Sequence, residues 1–184
     1  FEHLRIEKPS GLHVMAAYMS DVMIKELVLG FLIAAMLCPL LIALWFRKWT
    51  YGAAALLPNF LPVLIVGCIL VMSGDGIRFT SAIALTIAFG IAVDDSVHLL
   101  NRYHLIRSKK GGIDCKTAIM QAVRHVLPAL ITTSCVLAAG MSSSLVSDMP
   151  TVMFFGMLCV GIFFLALIAD LLLLPSALAL FERK

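Results

Sequence analysis

The sequence predicts an all-α integral membrane protein, a bundle of five transmembrane helices. Three observations carry that prediction. Of its 184 residues 61% are hydrophobic and only 14% charged, against about 45–50% and 25% in an ordinary globular domain. The mean hydropathy is +1.03, and a soluble domain of this size cannot hide so much apolar surface, since roughly 30% of what its chain exposes stays accessible after folding. Third, the apolar residues gather in five runs of about the 20 residues that a spanning helix needs. These runs are too long and too little alternating for barrel strands.

The spans expected are 27–46, 53–72, 81–100, 126–145 and 152–174. Residues 1–26 differ in kind. Phe1–Glu7 reads as a last strand, Pro9-Ser10-Gly11 as a turn, and Leu12–Glu26 as a helix leading into the first span. Together they read as the trailing end of a domain outside the membrane. With no initiator Met and no signal peptide at Phe1-Glu2-His3-Leu4, the expectation is a fragment or a processed chain. The first two spans are joined by Arg47-Lys48-Trp49-Thr50 and the next two by Ser73-Gly74-Asp75-Gly76, both turn-like. The 101–124 connector holds Gly111-Gly112, then Asp114 as a helix cap, then Ile119, Val123 and Leu127 at four-residue spacing. That pattern reads as an interfacial helix preceding the fourth span. Ser147-Asp148-Met149-Pro150 leads into the last one.

Of 14 lysines and arginines, ten (Arg47, Lys48, Arg102, Arg107, Lys109, Lys110, Lys116, Arg124, Arg183 and Lys184) fall on one side and Arg5, Lys8, Lys25 and Arg78 on the other. The bias places the N-terminus outside and the C-terminus in the cytoplasm. A net charge of +3, without basic runs interleaved with aromatics, gives no reason to expect nucleic acid. Cys38, Cys68, Cys115, Cys135 and Cys159 are scattered, with no CxxC pair. They read as packing residues, so no metal, cofactor or enzymatic centre is expected.

The chemistry concentrates in Gly90-Ile91-Ala92-Val93-Asp94-Asp95-Ser96-Val97-His98. Two adjacent carboxylates lie about 10 Å from the cytoplasmic end of an apolar helix at 1.5 Å per residue. On insertion scales each costs about 2.5–3.5 kcal/mol near the bilayer centre. Helical neighbours point about 100° apart, so the pair faces polar surroundings on two sides, and mutual repulsion with loss of water disfavours two charges at once. Acids inside a membrane are functional candidates; Asp94 and Asp95 read as the proton-coupling pair. His98, one turn after Asp94, either extends a proton path or is an interfacial histidine. Thr132, Thr133 and Ser134 stand roughly 12–15 Å into the fourth span. There they either bond the acids or bond their own helix. Asp170 is a third intramembrane acid, read as closing a network or pairing with a helix end near Pro175. Gly90 and Gly140, with Ala138 and Ala139, read as the place where the third and fourth spans approach. Pro39, Pro58, Pro62 and Pro128 are expected to kink spans, with Asn59 bracing one such kink.

Taken in order, these motifs resemble the resistance-nodulation-division (RND) superfamily of transporters. Gly90–Tyr103 is similar to its fourth or tenth helix and Leu56–Pro62 to the helix after a cytoplasmic turn. Leu130–Ser134 with Ala138-Ala139-Gly140 is similar to the helix facing the acids, and Ala169–Pro175 to the last helix. The nearest branch is that of the MMPL-like predicted exporters, which include hopanoid and other lipid transporters. The resemblance covers nearly the whole chain. It implies the last five helices of a twelve-helix, two-half transporter in a bacterial inner membrane, with the other helices and the outside domains supplied by the rest of the protein or a partner subunit. It further implies proton-driven export of a lipid or other hydrophobe through Asp94 and Asp95, with Thr132, Thr133 and Ser134 as partners. Two rivals stand beside that reading: a Sec-pathway accessory subunit of the same superfamily, and a sterol-sensing-like module that binds lipid without pumping.

Overall fold

A computed structural model describes residues 12–74, 78–109 and 113–181. The described residues form five long helices and one 3₁₀ turn, with no strand. The helices are α1 (Leu12–Trp45), α2 (Trp49–Met72), α3 (Phe79–Lys109), α4 (Cys115–Ser142) and α5 (Pro150–Phe181), with the turn at Ser143–Val146 before α5. All five are long and apolar enough to cross a membrane. The strand and turn expected within 1–11, and the Gly111-Gly112 break, lie outside the described residues.

Each helix runs past its expected span. The lead-in segment and the first span are one helix, α1. The interfacial helix expected after Asp114 is the first part of a continuous α4, which also runs through Pro128. The two merge because Ala118, Ile119 and Ala122 of that segment are buried against the core rather than lying in a headgroup plane. Pro175 likewise does not end α5. Pro150 begins that helix, where a missing N–H costs nothing.

Between α1 and α2 the chain turns in three residues. Lys48 N donates to Ala43 O at 3.1 Å and Arg47 N to Leu44 O at 3.2 Å. Arg47 takes a left-handed φ of 52°. This is a Schellman closure with an arginine where glycine is usual.

The packing order positions the site. α3 touches all four other helices; α1 packs on α2, α2 on α5, and α5 on α4. α1 and α4 do not meet, nor do α1 and α5. Four helices therefore make an arc around α3, open between α1 and α4.

Three clusters hold the arc together. Toward one end, Phe46, Tyr51 and Tyr103 pack with Leu99, Ala118, Leu174 and Leu178. The Tyr51 and Tyr103 rings meet edge-on at 5.9 Å, worth about 0.5–1.5 kcal/mol per such pair. Deeper in, Ala84 and Ala88 of α3 meet Cys159, Ile162 and Phe163 of α5. Small residues let these backbones approach, which is the main source of helix affinity where water supplies no driving force. A third cluster joins Ala35, Val63 and Phe89.

Backbones come closest at glycines other than those expected. A Cβ on Gly52 would stand 2.5 Å from Pro39 O, and one on Gly156 would collide with Ser144 Oγ and lie 2.9 Å from Met141 O. At Gly90 and Gly140 an added Cβ would have nothing within 4 Å. The expected approach of α3 and α4 at those two glycines is thus absent among the described residues, because both face the open arc. Of their neighbours, Ala138 is buried and Ala139 exposed.

Candidate functional site

One turn of α3 places the two acids in different surroundings. Asp94 lies on the face left uncovered by the arc, its side chain 73% exposed, with His98 Nε2 at 3.8 Å from Oδ1. Asp95, turned about 100° away, is buried to 7% exposure. The expectation that they face two sides of the bundle is met.

Asp94 and Asp95 line a groove of about 650 Å³ between α3 and α4, together with His98, Arg102, His125 and Thr132. His125 and Arg102 bring basic groups to the same space. Arg102 Nε is buried without a hydrogen-bond partner among the described residues. The groove thus carries acids, bases and hydroxyls set in a wall that is otherwise apolar, with Ile91, Leu105, Val126, Val136 and Leu137 among its lining.

Thr132 and Thr133 reach the groove's wall but not the acids. Thr132 Oγ1 donates to Pro128 O at 2.7 Å, and Thr133 Oγ1 is within hydrogen-bond distance of Ala129 O and Leu130 O at 3.1 and 3.0 Å. Pro128 O is available because hydroxyls back-bond readily one turn along a helix. Of the two roles open to these threonines, the described structure gives them the local one. Ser134 is buried and is not among the groove's lining residues.

Behind Asp95 lies a second polar cluster that crosses three helices. Ser96 Oγ is 2.7 Å from Asp170 Oδ1 on α5 and 2.9 Å from Asn59 Oδ1 on α2. Ser96 and Asp170 are 0% exposed and Asn59 1%. Asp95 lines the groove and immediately precedes Ser96 in the chain, so one turn of α3 carries both the open groove and this closed cluster. Asp170 thus bonds Ser96, which also faces Asn59. Asn59 does something other than brace a kink: it faces Ser96 across the helix interface. The sequence reading passes over Ser96 entirely. A serine directly after an acid pair, and a lone amide between two prolines in an apolar run, were the signals available.

Comparison with known proteins bears on the whole chain. A membrane protein of Methanocaldococcus jannaschii is 27% identical over 145 residues, which is 78% of this chain and 37% of that relative. The chain thus spans little more than a third of that relative's length. The model of a family described as "Protein export membrane protein SecD/SecF, C-terminal" matches residues 6–179, which takes in all five helices and the acid pair. Within the RND superfamily that match points to the protein-export family, while the predicted-exporter branch rests on the motifs alone. On the extent of that match, the chain belongs to the SecD/SecF C-terminal family of membrane proteins.

Proposed function

We propose that this chain is the proton-coupling membrane portion of an RND-type exporter, a transporter and not an enzyme. The observation that carries it is the division of labour between Asp94 and Asp95. Both acids line the groove, Asp94 exposed on it and Asp95 buried beside it, next in the chain to the Ser96 that bonds Asp170. A proton entering from the groove neutralises charge that the bundle otherwise holds at high cost. Losing that charge changes which helix packing is cheapest. A membrane potential supplies about 2.3 kcal/mol per charge per 100 mV, enough to bias such a choice.

The uncovered face of α3 supports a larger assembly. Asp94 and His98 lie on it, and a polar stripe is costly against lipid. The rest of the transporter or a partner subunit, carrying further helices and the outside domains, covers it in this reading. We place the N-terminus outside and the loop at 101–124 in the cytoplasm of a bacterial inner membrane, on the lysine and arginine bias. Labelling a single cysteine at position 109 in sealed cells checks this; modification by an impermeant reagent from outside reverses the orientation.

For cargo we propose a lipid or other hydrophobe, on the strength of the ordered motifs. A second reading, export of polypeptide, is favoured by the SecD/SecF match. The test uses the complete transporter in vesicles with an imposed pH gradient, assayed for labelled-lipid transfer and for preprotein translocation. Asp94→Asn and Asp95→Asn are each expected to abolish the gradient-dependent signal while expression and insertion persist. Asn keeps the size and hydrogen bonding but exchanges no proton. Normal transport by both variants sinks proton coupling and leaves a lipid-sensing module as the better reading. Whichever cargo loses its signal decides between the two.

A further inference from the structure

The cluster of Asn59, Ser96 and Asp170 has one proton too few for the contacts it makes. A serine hydroxyl donates a single hydrogen bond, yet Ser96 Oγ faces two oxygens, Asp170 Oδ1 at 2.7 Å and Asn59 Oδ1 at 2.9 Å. All three residues are at most 1% exposed, so the cluster is shut off from bulk solvent. Asn59 Nδ2 and Asp170 Oδ2 are themselves buried without partners among the described residues. An unpaired polar group in such a place is expensive.

Two arrangements complete the chain. With Asp170 ionised, Ser96 donates to the carboxylate and Asn59 makes half a turn about its amide, so that Nδ2–H donates to Ser96 Oγ. With Asp170 protonated, its own O–H donates to Ser96 Oγ, Ser96 donates to Asn59 Oδ1, and the amide stays where the structure has it. Adding one proton to Asp170 thus reverses two hydrogen bonds and turns one amide. Those bonds join α5 to α3 and α3 to α2.

We propose that Asp170 is a second proton-binding site, and that Ser96 and Asn59 form a reversible hydrogen-bond chain that transmits its protonation from α5 through α3 to α2. The geometry also provides its supply. Asp95 precedes Ser96 in the chain and lines the groove. In this proposal a proton enters from the groove by way of Asp95.

The other groups around the site are accounted for. α2 presents the neutral Asn59. On α4, Lys116, Arg124, His125 and Cys135 are exposed and Cys115 faces the Tyr103 hydroxyl at 3.4 Å. On α5, Cys159 belongs to the apolar cluster. No ion pair to Asp170 exists among the described residues.

The proposal extends the proton-coupling reading of Asp94 and Asp95, and its test is built to fail separately. The chain is placed in lipid nanodiscs in an Asp94→Asn/Asp95→Asn background and followed by infrared difference spectroscopy across pH. Among the carboxyl C=O stretching bands that appear on acidification, one is expected to be missing from Asp170→Asn, and that same band to move to higher frequency in Ser96→Ala. In ¹⁵N-asparagine-labelled protein, the Asn59 side-chain resonance is expected to shift with the same midpoint, and to stop shifting in Ser96→Ala. Titrating bands that are identical with and without Asp170→Asn overturn the site. An Asn59 resonance that ignores the titration overturns the chain. If Asp170→Asn does not fold, the Ser96→Ala frequency decides, and an unmoved band overturns the assignment. Because both groove acids are absent from this background, its outcome is independent of whether Asp94→Asn and Asp95→Asn stop transport.

Discussion

The two faces of α3 carry similar chemistry and live in opposite circumstances. Asp95 and Ser96 look inward, where α2 and α5 supply Asn59 and Asp170. Gly90, Asp94, His98 and Asn101 look out through the gap between α1 and α4 and are exposed. The inner face has its polar partners on the neighbouring helices, so its residues are constrained by packing as well as by chemistry. The outer face is constrained by chemistry alone. Two aspartates that both line the groove therefore differ in what a substitution does to them: at buried Asp95 stability is at stake as well as exchange, and at exposed Asp94 exchange alone.

The largest expected effect tests the inner face. Ser96→Leu adds bulk to a closed interface and strands Asn59 and Asp170, so it should cost about 3 kcal/mol or more, combining overpacking with unpaired polar groups. Asp94→Leu should leave thermal unfolding in detergent unchanged or raise its midpoint. Equal losses at both positions would erase the distinction between the faces. Next in size are the glycines. Gly156→Val should destabilise by about 1–3 kcal/mol, since its Cβ would strike Ser144, whereas Gly90→Val should stay within about 0.5 kcal/mol. A large loss at Gly90 would mean that another helix closes on it, which unfolding measured with and without the rest of the transporter would reveal. The smallest effect is at the groove wall. Thr132→Ala removes a hydroxyl that bonds its own helix, so folding should move by less than about 0.5 kcal/mol. Transport in the vesicle assay should fall far less than with Asp94→Asn; a loss as complete as that variant's would bring Thr132 into contact with the acid during the cycle.

Fold and site were unequally legible in the sequence. Five apolar runs with turn residues between them define five helices, because lipid leaves the backbone no other economical structure. Helix ends were harder: Lys109, Cys115 and Phe181 lie beyond the expected spans because a helix continues into the headgroup region wherever its residues tolerate it. The acid pair announced itself by cost, two charges where none is cheap. Among its inner partners Asp170 did the same, whereas Ser96 and Asn59 did not. Residues 59, 96 and 170 share no spacing, and only the order of helices around α3 brings them together. The threonines and Gly90 misled for a related reason. Depth in the membrane follows from counting residues, whereas rotation about the helix axis does not. Thr132 has the right height and a local bond; Gly90 has the right size and the wrong side.

The aromatic packing of Phe46, Tyr51, Tyr103 and His104 closes one end of the bundle. Its ring contacts run from 5.3 to 6.1 Å, and the Lys48 ammonium stands 5.2 Å over the Tyr51 ring. The short Arg47 turn ties α1 to α2 at that same end. Helices pinned together at one end behave as levers. Asn59 sits eight positions along α2 from Tyr51, about 12 Å from the fulcrum at 1.5 Å per residue, while Met72 lies about 30 Å away. A tilt of about 5° then moves Asn59 by about 1 Å and the far end by more than twice as much. Rearrangements the size of a single amide turn are in this way magnified toward the end of the bundle where the side chains of Leu27, Val71 and Met72 border an apolar cleft.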